Sequence, residues 1–185
     1  EGDGGARRRN LFVVCAPNDL LGKRIQLFQA AKLDLEAIDI PETVQRNVAA
    51  LFEPAGRGVA MLGFTAEGGL LTFTFRGDLH ASRRLEITLD QLLNADTEQR
   101  QALFDRIVLE MQRSIDAFEH QHHYVSLAQL MVMPLPEEVG LAAYLGQNLY
   151  VAVEAADLGS VMDLIKVPEL RNPGRQAQCF HLLGA

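Results

Sequence analysis

The stretch 59–79 constrains the fold of this chain more than any other part of the sequence. An apolar run is followed by Glu67-Gly68-Gly69, then by threonines that alternate with leucine and phenylalanine, then by a second glycine turn. Alternation at period two marks strands with one apolar face, and glycines at short spacing mark hairpin turns where positive φ costs nothing. The pattern predicts three strands near 58–64, 69–76 and 79–88, joined by two hairpins.

The rest of the chain alternates between helix and strand signals. The predicted elements are strands at 11–15, 33–40, 125–130 and 148–153, and helices from Pro17, from Pro41 to about Phe52, at 97–120, at 136–145 and from Pro173. After the loop 53–58, the order is β-β-β-α-β-α-β-α. Three meandering strands followed by alternating elements predict an α/β fold with a mixed sheet covered by helices, and a ribonuclease-H-like sheet matches this order best.

Composition excludes several functional classes. Of the 185 residues, 48% are apolar and 22% charged, which is typical of a folded globular chain. The net charge of −7 argues against general nucleic-acid binding, because contacts to phosphates need clustered lysine and arginine. No apolar run approaches the roughly 18 residues of a membrane helix, so the sequence predicts no direct membrane insertion. Residues 1–9, including Arg7-Arg8-Arg9, are predicted to be a solvated arm rather than an anion-binding patch.

The cysteines and histidines suggest structural roles. Cys15 and Cys179 lie in strand and helix patterns without a C-x-x-C motif, which favours reduced core residues. His120, His122 and His123 form the only metal-like cluster in the sequence, but zinc needs further ligands. A helix C-terminus also favours histidine, because free carbonyls and the helix dipole attract it, and we prefer that interpretation. The sequence therefore predicts no metal site.

Three segments resemble the actin-like pilus-assembly proteins of the PilM family. Residues 11–19 are similar to the family pattern VVxAPxxxV, residues 30–41 to AGLxxxxIDxP, and residues 109–118 to EIQRSLDYF, which is the most specific of the three. The resemblance covers nearly the whole chain and points to the branch that serves mannose-sensitive haemagglutinin pili. It implies a fragment of an actin-like ATPase (ribonuclease-H-like) fold: residues 1–55 would be the inserted subdomain and a helix of the first lobe, and 56–185 the second lobe.

The chain departs from this family at both expected nucleotide contacts. ATP-binding members carry a phosphate loop D-x-G-x-x-x-T after the first strand, and the corresponding residues here are Gly63, Thr65, Gly68 and Gly69. The family's glycine-rich adenosine loop is expected near 126–133, where this chain has bulky apolar residues. Glu67-Gly68-Gly69 is better interpreted as a hairpin turn than as a phosphate nest. We therefore expect a degenerate nucleotide site, no cofactor and no catalysis.

The resemblance also implies a function. It points to a non-catalytic cytoplasmic scaffold of a type IV pilus or type II secretion assembly, peripheral to the inner membrane through a PilN-like partner whose tail it docks. The candidate partner-binding residues are Ala16, Pro17, Asn18, Asp19, Ile38 and Ile40. A homo-oligomer stays open. The alternatives are an actin-like ATPase completed by a further lobe, and a ribonuclease-H-like nuclease, which the absence of a first-strand carboxylate opposes.

Overall fold

A five-stranded mixed sheet organises the larger of two compact units, which divide between Ile38 and Asp39. The computed structural model describes residues 12–185, so the predictions for the arm at 1–9 and for Leu11 lie outside the described residues. The larger unit contains α2 (Pro41–Ala50), β1 (Gly58–Thr65), β2 (Gly68–Phe75), β3 (Asp78–Leu85), α3 (Leu89–Asn94), α4 (Thr97–Gln121), β4 (Leu127–Val132), α5 (Leu141–Asn148), β5 (Ala152–Ala155) and α6 (Pro173–Leu183), with 3₁₀ turns at Leu158–Ser160 and Pro168–Arg171.

The strand order is β3-β2-β1-β4-β5. The two hairpins make β1, β2 and β3 antiparallel, whereas β4 runs parallel to β1 and β5 runs parallel to β4. The carboxyl ends of β1, β4 and β5 therefore lie at one edge of the sheet. This confirms the predicted mixed sheet and the three consecutive strands at its start.

Both faces of the sheet are covered by helices. Successive β1 side chains point to opposite faces, so Ala60, Leu62 and Phe64 belong to one core and Val59 and Met61 to the other. The first core is completed by buried residues of α3, α4 and α5, such as Leu92, Ile115 and Leu145. The second is completed by α2 and α6, through Val48, Ala49 and Phe180.

The two helices of the second core also meet each other at the C-terminus of α6. The Asn47 amide Nδ2 donates to the Gly184 carbonyl at 2.7 Å. A β-carbon at Gly184 would approach the Val44 carbonyl oxygen to 2.5 Å, so the chain packs against α2 at backbone distance. A glycine at this position therefore permits the contact between α2 and α6.

Two capping boxes start the helices of the first core. Thr88 Oγ1 accepts from the Gln91 N–H, and the Gln91 side chain accepts from the Thr88 N–H, which fixes the start of α3. Asp96 and Gln99 repeat this arrangement at α4. Reciprocal bonds of this kind satisfy backbone donors that a helix N-terminus leaves free. The sequence predicts α4 but not α3, which is only six residues long.

The smaller unit contains α1 (Asn18–Ala30), and none of its thirteen residues is buried. The helix predicted from Pro17 is confirmed, but both predicted strands are wrong, because residues 12–15 and 33–40 have no regular structure. A segment with alternating apolar residues forms a strand only where a neighbouring strand pairs with it. Within the described residues, no strand pairs with either segment. Cys15 is accordingly exposed rather than in a core.

Three further boundaries differ from the predictions. The strand predicted at 125–130 is β4 at 127–132, and the strand predicted at 148–153 is the shorter β5. The helix predicted from Pro136 begins only at Leu141, because Gly140 before it has a left-handed φ of 82° that a helix interior cannot contain. The assignment of 1–55 and 56–185 to two actin-like lobes stays a prediction.

Candidate functional site

Gly63 lies near the carboxyl end of β1, and the side chain of Met133 fills the space beside it. The Met133 N–H donates to the Leu62 carbonyl at 2.8 Å, which extends the β4–β1 pairing and places Met133 next to Gly63. A β-carbon built at Gly63 would fall on Met133 Sδ and would lie 3.0 Å from its Cε. Met133 is only 5% exposed. A side chain larger than hydrogen fits at position 63 only if the Met133 side chain moves away.

Gln45 closes the same space from α2. Its side chain is 1% exposed, and its Nε2 lies 2.7 Å from the Met61 carbonyl, 3.1 Å from the Leu70 carbonyl and 3.0 Å from Thr72 Oγ1. Its Oε1 would be 3.2 Å from a β-carbon at Gly63. One buried amide thus connects α2 to both β1 and β2, and it contributes no charge to the site.

The hairpin between β1 and β2 is a two-residue loop, Ala66-Glu67, between the paired residues Thr65 and Gly68. The hairpin is confirmed, but only Gly68 of the two glycines has positive φ, at 133°. Thr65 Oγ1 accepts from the Glu67 N–H at 3.2 Å, so this amide already has a partner within the turn. Gly69 instead permits close packing, because a β-carbon there would lie 2.9 Å from a Phe64 ring carbon.

The region 126–133, where the family's adenosine loop is expected, is mostly strand. Residues 127–132 form β4, close to the predicted strand at 125–130, because bulky apolar residues favour a strand between β1 and β5. The loop that follows β4 runs over 133–140 and contains two prolines. It has no glycine before Gly140, so no run of glycine amides is exposed in it.

A cleft of about 500 Å³ lies beyond the carboxyl ends of β4 and β5. This is where open α/β sheets commonly bind ligands. Its walls come from the loop after β4, the loop after β5 and the start of α6, and its lining includes Met133, Pro136, Glu138, Asp157 and Arg171. Two carboxylates and one guanidinium give this lining no excess of positive charge for a triphosphate.

Asp157 keeps its negative charge in this cleft. The buried Gln176 amide donates to Asp157 Oδ1 at 3.0 Å, the Gly159 N–H donates to the same oxygen at 2.9 Å, and these bonds lower the pKa of the Asp157 carboxyl. The other end of the Gln176 amide accepts from the Leu158 N–H. Hydrogen bonds to the charged form favour ionisation, so Asp157 repels a phosphate near neutral pH.

The predicted partner-binding residues fall on two segments. Ala16, Pro17, Asn18 and Asp19 are exposed and surround the start of α1 in the smaller unit. Ile38 is 48% exposed and is the last residue of that unit, whereas Ile40 is partly buried and precedes α2 in the larger unit. The strand expected to end at 38–41 is absent, so any docking there uses an irregular segment.

The histidine triplet lies at the C-terminal end of α4. His120 is in the last turn, His122 is the first residue beyond the helix, and His123 follows it. The predicted helix-end position is confirmed. Within residues 12–185, no three or more histidine, cysteine, aspartate or glutamate side chains form a metal-binding group.

Gln45 and Met133 decide the shape of the site but were not among the residues predicted from the sequence. Gln45 has a detectable signal, since it lies within the apolar stripe of α2 formed by Val44, Val48 and Ala49. A polar residue in such a stripe indicates a buried hydrogen-bond partner. Met133 has no such signal, because its contact with Gly63 depends on the β1–β4 register.

Comparison with known proteins supports the fold. No family model matches the chain, and no curated protein matches it. Among solved structures, the chain resembles a chain of a structure described as the PilM-PilN type IV pilus biogenesis complex, with a TM-score of 0.63 and 19% identity. The match covers 89% of this chain but only 57% of that chain. Within the described residues, no helix combines the length and hydrophobicity needed to cross a membrane.

Proposed function

We propose that this chain is part of a non-catalytic, actin-like scaffold in a type IV pilus assembly of the mannose-sensitive haemagglutinin type or in a type II secretion system. It lies in the cytoplasm and docks the tail of a PilN-like inner-membrane protein. The fold similarity to a chain of the PilM-PilN complex supports the pilus context. At 19% identity, that similarity supports the fold alone. We infer the partner from the fold similarity together with the sequence resemblance.

The packing of Met133 against Gly63 is the observation that carries the non-catalytic part of this proposal. An actin-like ATPase needs a carboxylate at the end of β1 to position Mg²⁺ and free amides to hold phosphate. Here a thioether occupies the space of that side chain, and the Glu67 amide of the hairpin is already bonded to Thr65. The residues present do not fit Mg-ATP, so we assign no chemical step to this site.

Mg-ATP is expected to leave the thermal stability of the protein unchanged. A ligand that binds only the folded state raises the apparent stability in proportion to the logarithm of its concentration over Kd. The measurement is thermal unfolding of the full-length protein with and without 1 mM Mg-ATP, with Mg²⁺ alone as the control. A midpoint that rises with ATP concentration would favour the actin-like ATPase instead.

The full-length protein is expected to bind a peptide that spans the cytoplasmic tail of its PilN-like partner. Ile38→Ala is expected to weaken this binding about fivefold, since removing a half-buried apolar contact costs about 1 kcal/mol at an interface. Isothermal titration measures both affinities, with Ile165→Ala as a control at another exposed isoleucine and a scrambled peptide as the negative control. If the intact protein does not bind the tail, the docking proposal is wrong.

A further inference from the structure

Two histidines and a tyrosine from separate elements converge beside the second hairpin. His80 lies on β3, His122 immediately follows α4, and Tyr124 lies in the turn before β4. The Tyr124 hydroxyl oxygen is 3.3 Å from His122 Nδ1 and 3.5 Å from His80 Nδ1. His122 belongs to the triplet His120, His122 and His123, whereas His80 is separated from that triplet in the sequence by α3 and most of α4.

The distances also match those of a metal coordination site. Both contacts lie at the long end of the range of N···O hydrogen bonds. Neighbouring ligand atoms around a tetrahedral ion with bonds of about 2.0–2.1 Å are separated by about 3.3 Å. By the same geometry, the centres of two imidazoles on such an ion lie about 5.2 Å apart. The centres of the His80 and His122 rings are 5.4 Å apart.

The surrounding aromatic side chains hold both imidazoles in place. The His122 ring stacks on Phe118 with centroids 4.8 Å apart, and Phe118 stacks on the buried Phe73 at 4.3 Å. The His80 ring packs edge-on against Phe75 at 5.8 Å. Ligands fixed by packing lose little conformational freedom when an ion binds, which favours affinity.

We propose that His80, His122 and Tyr124 bind one zinc ion, through the two Nδ1 atoms and the phenol oxygen, with water as the fourth ligand. Zinc binds in tetrahedral sites through histidine nitrogen, cysteine sulfur or oxygen ligands, and water takes the fourth position in open sites. Tyr124 is 62% exposed, so the ion and its water reach the site from solvent. The Tyr124 hydroxyl proton passes to solvent when the oxygen becomes a ligand, because a metal ligand must be deprotonated.

Titration of the full chain with ZnCl₂ by calorimetry tests the site. We expect one ion per chain, and a loss of affinity of at least tenfold in His80→Ala and in His122→Ala. Tyr124→Phe is expected to weaken binding less, because water can replace the phenol oxygen. His123→Ala is the matched control, since it removes a neighbouring histidine whose ring is 6.0 Å from Tyr124 but is not a proposed ligand.

Cobalt substitution gives a second measurement that does not depend on heat. Co²⁺ in a tetrahedral site of this chain is expected to give intense visible absorption that His80→Asn abolishes, with circular dichroism as the check that the variant is folded. The proposal is overturned if zinc gives no saturable heat, if His80→Ala binds as tightly as the original chain, or if His123→Ala causes an equal loss. These outcomes leave the scaffold proposal unaffected, because it does not involve this face of the sheet.

Discussion

Gly63→Asp, which introduces the carboxylate that an actin-like phosphate loop would carry, is expected to destabilise this protein by at least about 3 kcal/mol. The new side chain must displace Met133 from a packed core and would bury a carboxylate beside the Gln45 amide oxygen. Overpacking alone costs about 1–3 kcal/mol, and an unpaired buried carboxylate adds to that. Urea unfolding followed by far-UV circular dichroism measures the change, since the chain has no tryptophan.

Two comparisons separate this effect from a general intolerance of substitution. Gly146→Ala is expected to be neutral or stabilising, because a β-carbon there meets only Val153 Cβ at 3.8 Å and alanine favours helices. Met133→Ala in the Gly63→Asp background is expected to recover part of the loss by removing the steric conflict. A Gly63→Asp variant as stable as the original would show that Met133 does not constrain this position.

Gln45→Leu is expected to lower the free energy of unfolding by about 2–4 kcal/mol. The volume is nearly kept, but the Met61 and Leu70 carbonyls and Thr72 Oγ1 lose a common donor inside the second core. A buried polar group left without a partner costs about 1–3 kcal/mol. The measurement is again urea unfolding, and hydrogen exchange of the α2 amides shows whether the helix loosens from the sheet.

The matched control is Gln178→Leu, which changes an exposed glutamine of α6 and is expected to alter stability by less than about 0.5 kcal/mol. A double-mutant cycle with Thr72→Val isolates the Gln45–Thr72 contact and is expected to show coupling, since the two side chains touch. If Gln45→Leu proves as mild as Gln178→Leu, the amide does not hold α2 on the sheet.

Local chemistry made the central part of this fold predictable. The hairpins around Gly68 and Gly77 require residues that accept positive φ, and both glycines have it. The strand between them, β2, alternates threonine with leucine and phenylalanine, and α4 has a long apolar stripe with a capping box at its start. In each case the information lies within a few residues of the element that it specifies.

The errors and omissions depend on contacts between distant residues. The segment 33–40 alternates like a strand, yet nothing in its own sequence reveals whether a neighbour pairs with it. The sequence shows that Gly63 stands where the family has an aspartate. It does not show that the Met133 side chain fills the space of that aspartate. No sequence pattern around His80 predicts its contact with His122. That contact arises because β3 places His80 beside the end of α4.

The bond between Asn47 and Gly184 has a consequence for the order in which the chain folds. These residues are 137 positions apart, so α2 reaches this partner only after all the residues between Asn47 and Gly184 have been synthesised. Contacts of such long range form late and slowly, since a large loop must close first. Until then the apolar stripe of α2 has only the sheet to cover it, and α6 completes the second core through Phe180.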